Sequence, residues 1–247
     1  MKLIVPLPGE DLLNLGKRCS AVYVCPRDGS RRKGPLVVYA GKGRNGLNLV
    51  GDIYFNFRRI ESHPQAVVAF AEAACTKLDE QGLLDSFDTV CGIPQGGRTF
   101  GQMLALVANK RFVYADKKPK PTEAGKKQEY TWDLSQFEFE PGERLAVADD
   151  VFNNFQNTDQ TLAEIAVTGV NVVLLVGALN RSPRYDTIYL PKSGPFAGME
   201  LPVVAAIREA YPEYEQDDPE VAADIAAGNV EFEVKKNWAR LCAAMES

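Results

Sequence analysis

The chain has 247 residues, of which 45% are hydrophobic and 25% are charged, and its formal net charge is −5. This length buries an ample core, either as one large domain or as one domain with an appended subdomain. The composition is ordinary for a globular protein, and the acidic balance argues against a broad nucleic-acid surface. His63 is the single histidine, which excludes a metal site built from several histidines.

Cysteine use and hydropathy indicate the compartment in which the protein works. The five cysteines are odd in number and scattered, as expected for reduced thiols in a cytosol. No apolar run reaches the 18 residues or so of a membrane span, and the proline-broken N-terminus is not typical of a secretory signal. We therefore expect a cytoplasmic protein with no membrane partner.

Short strands and turns predict a small N-terminal hood over residues 1–60. The stretches typical of strands are Ala21–Cys25, Leu36–Ala40 and Asp52–Phe57, and glycine- or proline-containing turns separate them. Pro64 then begins a helix that extends to about Leu78, because proline is favoured at the first helical position.

From residue 87 onward, apolar strands alternate with helices. The predicted strands are Thr89–Ile93, Arg111–Ala115, Leu145–Ala148 and Val170–Ala178, with a weak fifth at Leu201–Val204. The predicted helices extend from Gly101 to about Asn109 and from Thr161 to Thr168. This alternation predicts an α/β fold with a doubly wound parallel sheet over residues 61–205. Residues 206–247 are expected to form a C-terminal helical extension, with a helix over Trp238–Met245.

Two aspartates, Asp149 and Asp150, follow the apolar run Leu145–Ala148, and a polar loop leads from them towards the helix predicted at Thr161. Ligands of open α/β sheets lie outside the carboxyl ends of the strands. Paired carboxylates there can accept hydrogen bonds from sugar hydroxyls, and a loop that leads onto a helix N-terminus can bind phosphate. The alternative is a helix cap with one surface acid.

A glycine-containing segment, Gly92-Ile-Pro-Gln-Gly96-Gly97-Arg98, follows the first buried strand. Glycines let the backbone approach an anion closely, and successive N–H groups can form a nest for it. The alternative is a tight turn between a strand and a helix.

Basic residues provide two further candidates for anion binding. The run Lys117-Lys118-Pro-Lys120 and the pair Lys126-Lys127 lie in a polar, turn-prone stretch from Asp116 to Trp132, interpreted as a mobile loop or hairpin. Such a segment is either a solvated face or a lid that neutralises a polyphosphate. Arg181 follows Asn180 at the end of the fourth strand and is suited to bidentate contact with a planar acceptor, although a surface ion pair is the alternative.

Taken together, these segments predict one ligand. Three strand ends provide an anion nest, a diol acceptor with a phosphate loop, and an arginine, with a basic lid beside them. A compound with ribose hydroxyls, a phosphate and a second anionic group fits this arrangement, and phosphoribosyl pyrophosphate has these features.

The chain resembles the type I phosphoribosyltransferases, and within them the orotate phosphoribosyltransferases most closely. The similarity covers about residues 36 to 190 and depends on the segments Asp52–Pro64, Val90–Gly97, Leu145–Val151 and Asn180–Arg181. It implies a doubly wound sheet with an N-terminal hood and an enzyme of pyrimidine nucleotide biosynthesis. It also implies Mg²⁺ as cofactor, held mainly through the substrate with Asp149 as a possible protein ligand, and a homodimer.

The resemblance implies a role for each matching position. Asp149 and Asp150 would hold the ribose or balance positive charge on it, and Lys117 and Lys120 would be the cations of the lid. Gly96 and Gly97 would approach pyrophosphate, and Arg181 would contact the base. The 5′-phosphate would lie in the loop from residue 153 to residue 161, against Asn153, Asn154, Asn157, Thr158 and Thr161.

Two segments depart from the family pattern. The loop after the acids has extra residues and no glycine, so its asparagines would have to adopt positive φ, and Asp159 adds a negative charge beside it. Asp116 stands where the family has an arginine. The acceptor base therefore stays open between orotate and a related compound. A non-catalytic regulatory protein that binds phosphoribosyl pyrophosphate or a nucleotide on the same fold is the alternative, and an unrelated α/β protein is a third.

Overall fold

The computed structural model describes residues 3–29, 31–121 and 130–246. Its helices are Leu12–Arg18 (α1), Phe57–Glu61 (α2), Pro64–Glu80 (α3), Gly96–Ala108 (α4), Gln156–Ile165 (α5), Pro219–Ala226 (α6) and Trp238–Glu246 (α7), with a short 3₁₀ helix at Ala166–Thr168.

The strands, in chain order, are Val22–Val24 (β1), Arg27–Asp28 (β2), Arg31–Arg32 (β3), Leu36–Lys42 (β4), Asn48–Gly51 (β5), Ile53–Phe55 (β6), Thr89–Gly92 (β7), Arg111–Tyr114 (β8), Asp116–Pro119 (β9), Tyr130–Asp133 (β10), Arg144–Phe152 (β11), Asn171–Asn180 (β12), Ile188–Tyr189 (β13), Leu201–Arg208 (β14), Glu213–Tyr214 (β15) and Val230–Glu231 (β16). In the part of the chain that the structure describes, no helix is both long and apolar enough to cross a membrane.

The chain divides into two compact units, and the first joins the residues before Pro64 to those after Glu209. Its main sheet has the order β15-β5-β4-β16, so the C-terminal part adds one strand to each side of the β4–β5 pair. A small core of Leu36, Val50, Val221 and Val230 joins the two parts.

The second unit, Pro64–Glu209, contains a six-stranded sheet of order β13-β14-β12-β11-β7-β8. All neighbouring strands are parallel except β13 and β14. Leu145 and Val147 of β11 pack into the core that contains α5 residues, whereas Ala148 faces Gly101 of α4. Because the strand is covered on both faces, nearly all of its first half is apolar. The predicted α/β fold with a mostly parallel sheet is confirmed.

The boundaries around the acid pair differ from those predicted. Strand β11 continues to Phe152 instead of ending at Ala148, because its pairing with β12 persists to Phe152 opposite Asn180, while its pairing with β7 stops at Ala148. Helix α5 begins at Gln156 rather than Thr161. The loop that follows the strand is therefore only residues 153–155.

Other boundaries also move. Helix α4 begins at Gly96, five residues before the predicted start, and the weak fifth strand is the eight-residue strand β14. Strand β9 pairs antiparallel with β10, which makes the base of the lysine-containing segment a hairpin. Lys126 and Lys127 lie outside the described residues.

Candidate active site

The two aspartates occupy adjacent positions near the end of β11, with Asp149 on the buried side. Asp149 is only 6% exposed, and Asp150 is partly exposed. The backbone N–H of Asp150 donates to Asp149 Oδ1 at 2.9 Å, and that of Val151 donates to Asp150 Oδ1 at 3.0 Å. These contacts orient the carboxylates towards the carboxyl end of the strand, where a ligand of a parallel sheet is expected.

Burial raises the pKa of Asp149 well above its usual value, and the neighbouring negative charge of Asp150 raises that pKa further. A buried carboxylate beside a second one needs a cationic or hydrogen-bonding partner to ionise fully. The pair is therefore suited to accept hydrogen bonds from hydroxyl groups and to stabilise positive charge on a bound ligand.

Gly96 and Gly97 are the first two residues of α4 and lie directly against this acid pair. We call them the glycine turn. A Cβ added at Gly96 would collide with the carboxylate of Asp150. At Gly97, a Cβ would meet the carbonyl oxygen of Ala148 and would lie 2.8 Å from Asp149 Cα. The peptide bond between Pro94 and Gln95 is cis. This contact agrees with the prediction from the sequence, which placed the glycine-containing segment and the acid pair at the same edge of the sheet.

The sequence did not predict a functional role for Arg98, yet its guanidinium contacts both Tyr114 and Asp116 of the second unit. It stacks 3.5 Å from the centre of the Tyr114 ring, and its NH1 atom lies 3.4 Å from Asp116 Oδ1. Asp116 also accepts a hydrogen bond from Gln136 Nε2 at 2.8 Å. Since Arg98 is the first side chain after the two glycines, its position in the sequence was the available signal.

Phe155, rather than an asparagine, provides the turn that leads into α5. It has φ of 59°, and none of Asn153, Asn154 and Asn157 is among the residues with positive φ. The expectation that asparagines would replace the missing glycine is therefore wrong. Aromatic packing stabilises this turn: the Phe155 ring stacks on Phe152 at 4.8 Å and on Tyr189 at 4.3 Å between centroids.

The loop before α5 and the first two turns of that helix carry polar side chains in different environments. Asn154 Oδ1 accepts from the N–H of Gln156 at 3.2 Å, while Asn157 is exposed. Thr158 is 1% exposed, and its hydroxyl has no hydrogen-bond partner within the described residues. Thr161 lies further inside the helix and donates to Asn157 O at 3.0 Å. The first N–H groups of a helix have no acceptor inside it, so this turn can bind an anion.

Asp159 lies in the same turn, and its charge is partly balanced within the protein. The hydroxyl of Tyr189 donates to Asp159 Oδ1 at 2.6 Å. Burial, together with this carboxylate, raises the pKa of Tyr189, which therefore remains a donor. The hydrogen bond reduces the repulsion that Asp159 would exert on an anion at the helix N-terminus.

The lysines of the β9–β10 hairpin have different neighbours. Lys117 Nζ lies 4.3 Å from the ring centre of Tyr130 and 5.4 Å from that of Trp132. Lys118 forms an ion pair with Asp133, and this hydrogen bond lowers the pKa of Asp133 to about 2. Lys120 is exposed. In the described part of the hairpin, Lys117 and Lys120 are therefore the cations that precede and follow Lys118 in the sequence.

Arg181 follows β12, and its backbone N–H donates to Phe152 O at 3.0 Å, beside the end of β11. Its neighbour Asn180 is fully buried and serves the local structure. The Asn180 side chain donates to the carbonyl groups of Tyr185 and Asp186 and accepts from the N–H of Ser182.

The acid pair also provides the donor set that a hard cation prefers. Mg²⁺ is usually bound by one or two carboxylates together with substrate phosphates and water, and Asp149 and Asp150 fit that requirement. No group of three or more His, Cys, Asp or Glu side chains placed to hold a metal occurs in the described ranges, so a magnesium ion at this site would need oxygen ligands from the substrate.

This sheet, with an acid pair against a glycine turn, has the fold of the type I phosphoribosyltransferases, and the resemblance found in the sequence is confirmed. No family model matches the chain. The chain is 24% identical to the orotate phosphoribosyltransferase of Sulfurovum sp. (strain NBC37-1) over 156 residues, which are 60% of this chain and 72% of that one.

A solved structure shows the same fold. The crystal structure of orotate phosphoribosyltransferase from Aeropyrum pernix superposes with a TM-score of 0.50 and 16% identity over 88% of this chain and 99% of that one. The UMP synthase of Leishmania donovani gives a TM-score of 0.46 and 18% identity over 70% of this chain. The chain spans only 32% of that larger protein.

Proposed function

We propose that the protein transfers ribose-5-phosphate from phosphoribosyl pyrophosphate to a ring nitrogen of a base, an orotate-like pyrimidine or a related acceptor. One observation carries this proposal: the glycine turn touches the Asp149–Asp150 pair, and the N-terminus of α5 follows the end of β11, the strand that carries the pair, after only residues 153–155. Pyrophosphate, ribose and 5′-phosphate are adjacent in the donor, and these three segments are adjacent in the second unit.

In the proposed reaction, the bond between C1 and the pyrophosphate oxygen breaks and its electrons leave with pyrophosphate. A bond forms between C1 and the base nitrogen, and the proton of that nitrogen passes to the departing pyrophosphate or to solvent. Asp149 and Asp150 accept hydrogen bonds from the ribose hydroxyls and stabilise positive charge at C1. Mg²⁺, when bound with the donor, neutralises phosphate charge.

The remaining residues bind the ends of the substrates. Backbone N–H groups at Gly96 and Gly97 approach pyrophosphate, while Lys117 and Lys120 neutralise its charge as it departs. The 5′-phosphate contacts the loop of residues 153–155 and the first turn of α5, with Asn153, Asn154, Asn157 and Thr158 as donors. Arg181 contacts the base, and Thr161 supports the turn from inside the helix. A homodimer is part of the proposal and is tested by light scattering.

Replacing Asp150 with asparagine tests the role of the acid pair. We expect Asp150→Asn to lower turnover by about a hundredfold, the scale of one lost electrostatic contact in a transition state, and to change donor affinity much less. The measurements are pyrophosphate release with a panel of pyrimidine and purine bases, and calorimetric titration with phosphoribosyl pyrophosphate and Mg²⁺.

The control is Asp79→Asn, which changes an exposed acid on α3. Wild-type turnover in Asp150→Asn would contradict the assigned role. Donor binding without pyrophosphate release, for every base, would favour the regulatory alternative. The specific observation behind that alternative is Asp116, which adds negative charge at the start of the hairpin and holds Arg98.

A further inference from the structure

A separate cavity of about 350 Å³ lies in the second unit, between the end of β10 and the end of α5. Its wall includes aromatic rings and carboxylates: Trp132, Phe137, Phe139, Asp133 and Glu164. None of these residues belongs to the acid pair, the glycine turn or the first turn of α5. The 3₁₀ helix contributes Val167, which is 83% exposed.

The two carboxylates of this cavity differ in how their charges are balanced. Asp133 is paired with Lys118 and also accepts from the N–H and hydroxyl of Ser135 at 3.0 Å. Glu164 is partly buried and accepts a hydrogen bond from the Thr131 hydroxyl, but it has no cationic partner among the residues that the structure describes. Within the described residues, the wall therefore contains one carboxylate whose charge is not balanced.

Aromatic faces beside an unbalanced carboxylate attract an organic cation. The electron-rich face of a ring stabilises a nearby cation, and the effect grows when the pair is removed from water. A flat apolar body can at the same time cover Phe137 and Phe139. A neutral ligand would gain only the apolar part, and an anion would be repelled by Glu164.

We infer that this cavity binds a small organic cation with an aromatic body, such as a benzylic amine or an aromatic amidine. Glu164 is the charged contact of this site, and the aromatic wall holds the body of the ligand. Trp132, which forms part of that wall, lies opposite Lys117 in the hairpin. Binding is therefore reported directly by the indole of Trp132, without reference to turnover.

The test uses benzamidine as the cationic probe and benzamide as its neutral counterpart. In the full chain with Trp238→Phe, Trp132 is the remaining tryptophan, since the sequence has two. We expect a saturable change in Trp132 fluorescence with benzamidine, and affinity for benzamide weaker by about tenfold, which corresponds to about 1.4 kcal/mol. Calorimetric titration of the wild-type chain gives the same comparison without the substitution.

Glu164→Gln retains an acceptor for Thr131 but removes the charge, and it is expected to abolish the preference for benzamidine. Glu80→Gln, an exposed acid on α3, is the matched control and should retain that preference. Equal affinity for the two probes, no saturable signal from either method, or an unchanged preference in Glu164→Gln would overturn the inference.

Discussion

Asp149 makes the stability of the second unit depend on pH. Its folded pKa is raised, mainly by burial and then by Asp150, so the folded state binds the proton more tightly than the unfolded state. For such a group, the free energy of unfolding falls as pH rises from the unfolded pKa, about 3.9, through the folded pKa. Ionising Asp149 in the absence of a ligand therefore costs stability.

Asp149→Asn removes this cost while retaining the Oδ1 acceptor for the N–H of Asp150. We expect the variant to match the wild type in acid and to unfold at a higher temperature near neutral pH. Thermal unfolding across the pH range measures the difference, with Asp79→Asn as the control. A variant that is less stable than the wild type at neutral pH would show that Asp149 ionises with a partner in the folded state.

At the scale of elements, the turn between β11 and α5 depends on the ring of Phe155. A non-glycine residue with positive φ costs about 1–3 kcal/mol, and the stack with Phe152 and Tyr189 offsets that cost. Packing of the rings therefore compensates for a backbone strain that a glycine at this position would not have.

Substitution of Phe155 by alanine and by glycine separates the ring from the backbone. Phe155→Ala loses the buried ring and keeps the positive φ, so we expect it to lower the free energy of unfolding by about 3–5 kcal/mol. Phe155→Gly loses the same ring but tolerates the φ, and should be the less destabilised of the two by about 1 kcal/mol. Chemical denaturation measures both, and alanine equal to or better than glycine would show that the backbone at this position is not strained.

At the scale of the whole molecule, the first unit depends on residues from both ends of the chain. Val221 of α6 is 1% exposed and packs with Leu36 and Val50. This role of the C-terminal residues could not be predicted from the sequence, because strands β15 and β16 contain two residues each, too few to show an alternation of apolar and polar side chains.

Val221→Asp tests that dependence by placing an unpaired charge in the core of the first unit. Such a substitution is strongly destabilising because the charge loses its hydration. We expect the fluorescence of Trp238, which lies in the first unit, to report unfolding at lower denaturant concentration than in the wild type. Ala222→Asp, at the exposed neighbouring position of α6, should unfold like the wild type. Identical behaviour of the two variants would contradict the assigned role of the C-terminal residues.

The sequence predicted the part of the fold that depends on alternation and on strand ends. Apolar runs such as Leu145–Ala148 are buried in a parallel sheet, and the glycine turn and the acid pair meet because parallel strands end at one edge. It could not predict contacts between distant residues, such as the Arg98–Asp116 pair and the stack of Phe155 on Tyr189. It also placed the end of β11 too early, since backbone pairing with β12 is not visible in the residues themselves.

The glycine turn limits how this chain can vary over evolution. A methyl group at position 97 would meet the backbone of β11 itself, at the carbonyl of Ala148 and at Asp149 Cα, and no rotation of a side chain could relieve that overlap. Acceptance of any larger residue there would require a compensating shift of the central strand. The position is therefore expected to show almost no drift, even where the surrounding loops diverge.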